Sequence, residues 1–214
     1  MQNTRFDFFS RLLWAPNTVK PQLSFQEGDK ALWMGFLAGM IGLALQACFL
    51  LPIGTFVTIP NNALLQFWVD KFIYFGIGIV LSIFLWVFDV FFLSICKVRK
   101  SRRAVAGSFV PFVILPLVTV PIKALFPLGM SAAGHAEFVW MEIVLFFAWH
   151  NVTLGLLLVN GHYTNLDNRQ ISTKTLSIIC WLLCGAEIGL IILSLWGIPL
   201  VFQSSLGAFF IRYL

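Results

Sequence analysis

A chain of 214 residues with 59% hydrophobic and only 11% charged residues lies far from the composition of a soluble domain, in which roughly a quarter of residues are charged. Its mean hydropathy of +0.90 makes an integral membrane domain the expected class. The net charge of +5 does not point to nucleic acid, because such a surface needs a basic stripe on a folded face. Here Lys and Arg stand almost wholly in polar loops between apolar runs.

In chain order, residues 1–30 read as a cytoplasmic segment. Within RFDFFSRLLW, helical spacing puts Phe8, Phe9, Leu12 and Leu13 on one face and Asp7 and Arg11 away from it, with Pro16 as the stop. This predicts a short amphipathic helix in the headgroup region; a helix packed on the inner end of the bundle is the alternative. The start lacks the basic-then-apolar order of a cleavable leader, so the first apolar run is expected to remain in the mature protein.

Residues 31–201 form the membrane domain. A crossing helix needs about 20 mostly apolar residues, since lipid offers backbone amides no partners. Such runs cover Ala31 to Val57, Phe72 to Ile95, Ser108 to Phe126, Phe138 to Val159 and Leu176 to Val201. The fold class is therefore all-α, a polytopic bundle of five transmembrane helices. Pro111, Pro116 and Pro121 recur through the third span, which predicts a bent helix packed among neighbours that satisfy its freed carbonyls. Between the first two spans, Pro60-Asn61-Asn62 signals a turn, and Leu64, Leu65, Phe67 and Trp68 are expected to dip into the outer interface. Residues 202–214 form a short outer tail.

Basic residues orient the bundle. With the N-terminus cytoplasmic, that side holds Arg5, Arg11, Lys20, Lys30, Lys97, Arg99, Lys100, Arg102, Arg103, Arg169 and Lys174, leaving Lys71, Lys123 and Arg212 outside. The positive-inside rule selects this orientation, with the C-terminus outside. The cluster Lys97, Arg99, Lys100, Arg102 and Arg103 is also where anionic lipid headgroups are expected to bind.

Ionisable groups within a span are costly and are functional candidates for that reason. Asp89 lies two turns before the basic cluster, so pairing or snorkelling toward it competes with a functional role. Lys123 and Glu142 lie at similar depth near outer helix ends and could pair. Glu187, within ICWLLCGAEIGLII, has no cation near it in sequence; Lys123 or His150 could reach it, or it faces a hydrated cavity. His150 and Asn151 fall midway along the fourth span. His135 and His162 belong to loops on opposite sides of the membrane, so no zinc site can be built from histidine alone. No metal or other cofactor is expected.

Cys48, Cys96, Cys180 and Cys184 fall within or at the edges of spans and read as small apolar residues. Gly35 with Gly39, and Gly185 with Gly189, make GxxxG pairs that allow close helix approach, either within the bundle or toward an oligomer. There is no GxSxG, HExxH or phosphate-cradling loop. No three residues at one depth suggest an assembled catalytic centre, so no catalytic residue is assigned and the chain is not expected to be an enzyme.

The stretches FFSRLLWAPNTVKPQLSF, KVRKSRRAVAGSFVPFVILPLVTVPIKAL and WHNVTLGLLLVNGHYTNLDNRQISTKTLSIICWL resemble the approach to the membrane, the proline-containing third helix and the fourth-to-fifth span of the Yip-domain family of Ypt/Rab-interacting membrane proteins. The chain lacks the longer N-terminal region and DLYGP-type motif of eukaryotic members, so the resemblance is to a compact bacterial type. It implies five helices, a cytoplasmic N-terminus and residence in the bacterial inner membrane. The expected function is a non-enzymatic membrane-organising scaffold or accessory subunit, with lipids and a membrane protein or a second copy as partners. The alternative is a small transporter or channel for an ion, proton or lipid, using Glu187, His150, Asp89 and Lys123.

Overall fold

The computed structural model describes residues 10–11, 13–15, 25–50, 62–98, 101–119, 132–160 and 171–203, with side chains for 10–11, 13–15, 32–48, 62–98, 101–119, 141–160 and 171–192. Every described element is helical: α1 (Phe25–Leu50), α2 (Ala63–Ile95), α3 (Arg102–Ser108), α4 (Ala132–Asn160) and α5 (Thr173–Gln203). Beyond α3 the chain tightens into a 3-10 turn at Val110–Val113 and resumes as a helical turn over 115–119. Among the described residues, four segments are long and apolar enough to cross a bilayer: Ala63–Ile95, Arg102–Thr119, Met141–Asn160 and Thr173–Ile192. The apolar stretch Leu32–Cys48 within α1 is shorter.

Several boundaries differ from the expected ones. α2 begins at Ala63 rather than Phe72, because the Asn62 side chain accepts a hydrogen bond from the Leu65 amide at 3.0 Å and caps the helix. Leu64, Leu65, Phe67 and Trp68 are thus helical rather than a dipping loop, though all four remain exposed. α5 likewise starts at Thr173, where the Ser172 hydroxyl accepts from the Thr175 amide at 3.1 Å. The third span is helical from Arg102, before the expected Ser108, so Arg102 and Arg103 belong to a helix rather than a loop. Residues 51–61, 120–131, 161–170 and 204–214 lie outside the described residues, as do Arg99 and Lys100.

Of the expected amphipathic helix, residues 1–9 and 12 lie outside the described residues. A turn remains in which the Ala15 amide donates to the Arg11 carbonyl at 2.8 Å. Leu13 packs against the core and the Trp14 ring lies 5.8 Å from that of Trp149, so this turn docks on α4.

The broken third segment is the most enclosed part of the bundle. Ala104 through Phe112 are all buried, and α3 with its 3-10 turn packs against both α1 and α4. Small residues make this possible. A methyl group at Gly39 would overlap the Phe109 carbonyl, and one at Gly42 would overlap that of Phe112. Gly78 of α2 meets Ala44 of α1 in the same way. Aromatic rings then fill the space, with Phe36 edge-on to Phe109 at 5.0 Å and Phe112 edge-on to Phe147 at 5.5 Å. Gln46 donates to the Thr119 hydroxyl at 2.9 Å, tying α1 to the far end of the broken segment.

Gly185 and Gly189 differ: among the described residues, nothing lies within 4 Å of a methyl built on either. The α5 GxxxG pair therefore makes no close approach to another described helix. Gly42→Ala is expected to destabilise the protein by about 1–3 kcal/mol, as overpacking does. Gly185→Ala should be neutral or stabilise by under about 1 kcal/mol. Thermal unfolding in detergent compares the two.

Candidate functional site

The site grows out of the break in the third segment. In a continuous helix the Ser108 carbonyl would accept from the amide of residue 112. Here the Phe112 amide bonds instead to Phe109 O at 3.0 Å, and Pro111, at the start of the 3-10 turn, has no N–H to give. The freed carbonyl turns to α4 and lies 2.8 Å from His150 Nδ1. A carbonyl can only accept, so Nδ1 carries the proton and Nε2 faces the other way. The ring is held in that orientation between Phe109 and Phe112, with centroids 5.0 and 5.3 Å away.

Nε2 points at two carboxylates. Asp89 Oδ2 of α2 lies 3.1 Å away and Glu187 Oε1 of α5 lies 3.6 Å away. All three side chains are 0% exposed. Asn151, beside His150, donates from Nδ2 to Glu187 Oε2 at 2.5 Å and to the Phe147 carbonyl at 3.0 Å. Asp89 Oδ1, Glu187 Oε1 and Asn151 Oδ1 are buried without hydrogen-bond partners. One donor atom from each of Asp89, His150 and Glu187 can be chosen so that all lie within 4.8 Å of one another, close enough to converge on a metal ion.

A groove of about 200 Å³ runs between α4 and α5. Its lining extends from Val159 and Thr173, near the helix ends, past Ser177 and Cys180 to Asn151. It therefore reaches the residue that holds Glu187.

This geometry bears on three expectations. Asp89 neither snorkels nor pairs with the basic cluster; it is enclosed and bonded to His150, because α2 buries only one narrow stripe and Asp89 lies on it with Tyr74, Gly78, Ser82 and Leu93. Of the two cations proposed for Glu187, His150 lies within reach, and Lys123 falls outside the described residues. Three ionisable residues do meet at one depth, where none was expected. Histidine alone cannot supply a ligand set in this chain, but carboxylates from two other helices join His150 here. The Ser108 carbonyl was also missed; the proline run in span three was its only signal.

Other candidates lie elsewhere. Glu142 is buried on α4, two turns from His150, and its expected partner Lys123 lies outside the described residues. Cys180 and Cys184 are buried free thiols on the inward face of α5. Lys97 adopts φ 62° at the turn after α2, and Arg102 projects outward.

Removing the imidazole would leave two carboxylates facing each other in a dry interior. His150→Ala is expected to cost about 3–5 kcal/mol, as breaking a buried ionic pair does. In that background, Asp89→Asn with Glu187→Gln should recover part of the loss. Thermal unfolding of the single, double and triple variants gives the coupling directly.

Comparison with protein-family models, curated proteins and solved structures yields no match for this chain.

Proposed function

We propose that this chain is a small integral membrane transporter or channel for a cation, with Asp89, His150 and Glu187 as its intramembrane binding site. The observation that carries the reading is the convergence of three fully buried ionisable side chains from three separate helices. Such groups are expensive at membrane depth and mark ion pathways. Two features accompany it. The site adjoins a discontinuous helix with a freed carbonyl, an arrangement that transporter sites use to handle ions. The groove between α4 and α5 supplies a route from the helix ends to Asn151. In this reading an ion enters beside Thr173 and Ser177, passes Asn151 and is held at Glu187.

The proposed topology keeps the N-terminus cytoplasmic, with α1 completing five crossings of a bacterial inner membrane. The groove then opens on the cytoplasmic side, where the loop between α4 and α5 lies.

A scaffold of the Yip-domain type is a second reading, favoured by the unpacked Gly185 and Gly189 beside exposed Ile178, Trp181 and Leu182. It expects Gly185→Leu to release a co-purifying membrane protein or a second copy.

Proteoliposomes with an imposed cation or pH gradient test the transport reading. Flux is expected in wild type and should fall at least tenfold in Glu187→Gln, while Gly185→Leu should leave it intact. Flux that Glu187→Gln does not alter would remove the cluster from the pathway.

A further inference from the structure

We propose that Asp89, His150 and Glu187 bind a first-row divalent transition-metal cation of the Zn²⁺, Mn²⁺ or Fe²⁺ type. This rests on the transport reading only in naming its cargo; the site itself stands on its own geometry.

The spacing comes first. Ligand atoms around 2.0–2.2 Å from a tetrahedral ion lie about 3.3 Å apart. The two edges from His150 Nε2, 3.1 Å to Asp89 Oδ2 and 3.6 Å to Glu187 Oε1, bracket that value. The set as a whole lies within 4.8 Å, so no pair of donors needs to close by more than about 1.5 Å over the ion.

Two of the three ligands, His150 and Glu187, already have an outer partner of the sort that metal sites use. Metal-binding histidines donate their second N–H to a carbonyl or carboxylate, which fixes the ring and presents the other nitrogen. His150 does this through Nδ1 and the Ser108 carbonyl. Glu187 is held through Oε2 by Asn151, which leaves Oε1 without a hydrogen-bond partner. Asp89 Oδ1 is likewise buried without one. A cation between these atoms would satisfy oxygens that otherwise carry an uncompensated desolvation cost.

Donor type and charge select the ion. One imidazole nitrogen with two carboxylate oxygens suits borderline divalent ions; sulfur sites favour softer metals and all-oxygen sites favour Mg²⁺ or Ca²⁺. Two carboxylates and a neutral imidazole balance a charge of +2, whereas an alkali ion would leave net charge buried. Three protein donors also leave a position open, as befits a site that must release its ion rather than a closed structural one.

Full-length protein in lipid nanodiscs, exposed to Zn²⁺ and desalted, is expected to retain one Zn²⁺ per chain. X-ray absorption should show nitrogen and oxygen donors including an imidazole, with no sulfur. Mn²⁺ should compete. Glu187→Gln and Asp89→Asn should each weaken Zn²⁺ affinity by more than about 100-fold, beyond the 10–100-fold typical of outer partners; Asn151→Ala should fall within that smaller range. Sulfur in the shell would move the metal to Cys180 and Cys184 and overturn the assignment, as would wild type that retains no Zn²⁺ or Mn²⁺, or affinity unchanged in every variant. The absorption spectrum of wild type decides the matter if the variants fail to fold. Wild type that binds no metal yet shows Glu187-dependent proton flux would overturn the metal assignment and leave transport standing. Stoichiometric metal without any flux would do the reverse.

Discussion

The hydrogen bond from His150 Nδ1 to the Ser108 carbonyl is the contact on which the rest of the interior turns. In lipid, a backbone carbonyl released from its helix must find a partner within the protein. Pro111 and the 3-10 turn release this one, and α4 answers with an imidazole. Meeting the backbone requirement sets the direction of the ring, and the ring direction sets which nitrogen meets the two carboxylates. A kink in one helix thereby becomes a polar centre shared with α2, α4 and α5.

Packing and electrostatics support each other here. The broken segment can occupy the middle of the bundle because Gly39 and Gly42 let its backbone lie against α1. That placement brings Phe109 and Phe112 onto both sides of the imidazole and excludes water from it. Exclusion of water raises the strength of every interaction among the three ionisable groups and the cost of any imbalance. An isolated carboxylate at this depth would be strongly disfavoured. Of the three groups here, His150 and Glu187 are braced from outside by the Ser108 carbonyl and Asn151.

The outer surface has a different character. α2 buries a stripe of small or polar residues and turns Phe72, Val80, Phe84 and Phe91 outward. α5 does the same with Ile178, Trp181 and Leu182, and a methyl group built on Gly185 or Gly189 would meet no other described residue within 4 Å. Identical GxxxG spacing thus has two uses in this chain. On α1 the glycine meets a carbonyl of the broken segment, and on α5 the surface stays open.

By itself, the sequence determined the class of the fold. Long apolar runs with few charges can only be internally bonded helices in lipid, and four of the five expected spans are present at crossing length among the described residues, with Pro111 marking the break. It also singled out Asp89, His150, Asn151 and Glu187, since polar groups are costly wherever they lie in an apolar run. Helix starts were less legible, because caps such as Asn62 extend α2 beyond its apolar stretch. Only the tertiary structure decided that these residues meet. Measured along their helices at the usual rise, Asp89, His150 and Glu187 lie about 9, 15 and 21 Å from the helix ends at Ile95, Asn160 and Thr173. Staggered ends and packing around the broken segment bring them to one point. Depth along a helix is written in the chain, but rotation, stagger and the choice of neighbour come from packing several helices at once.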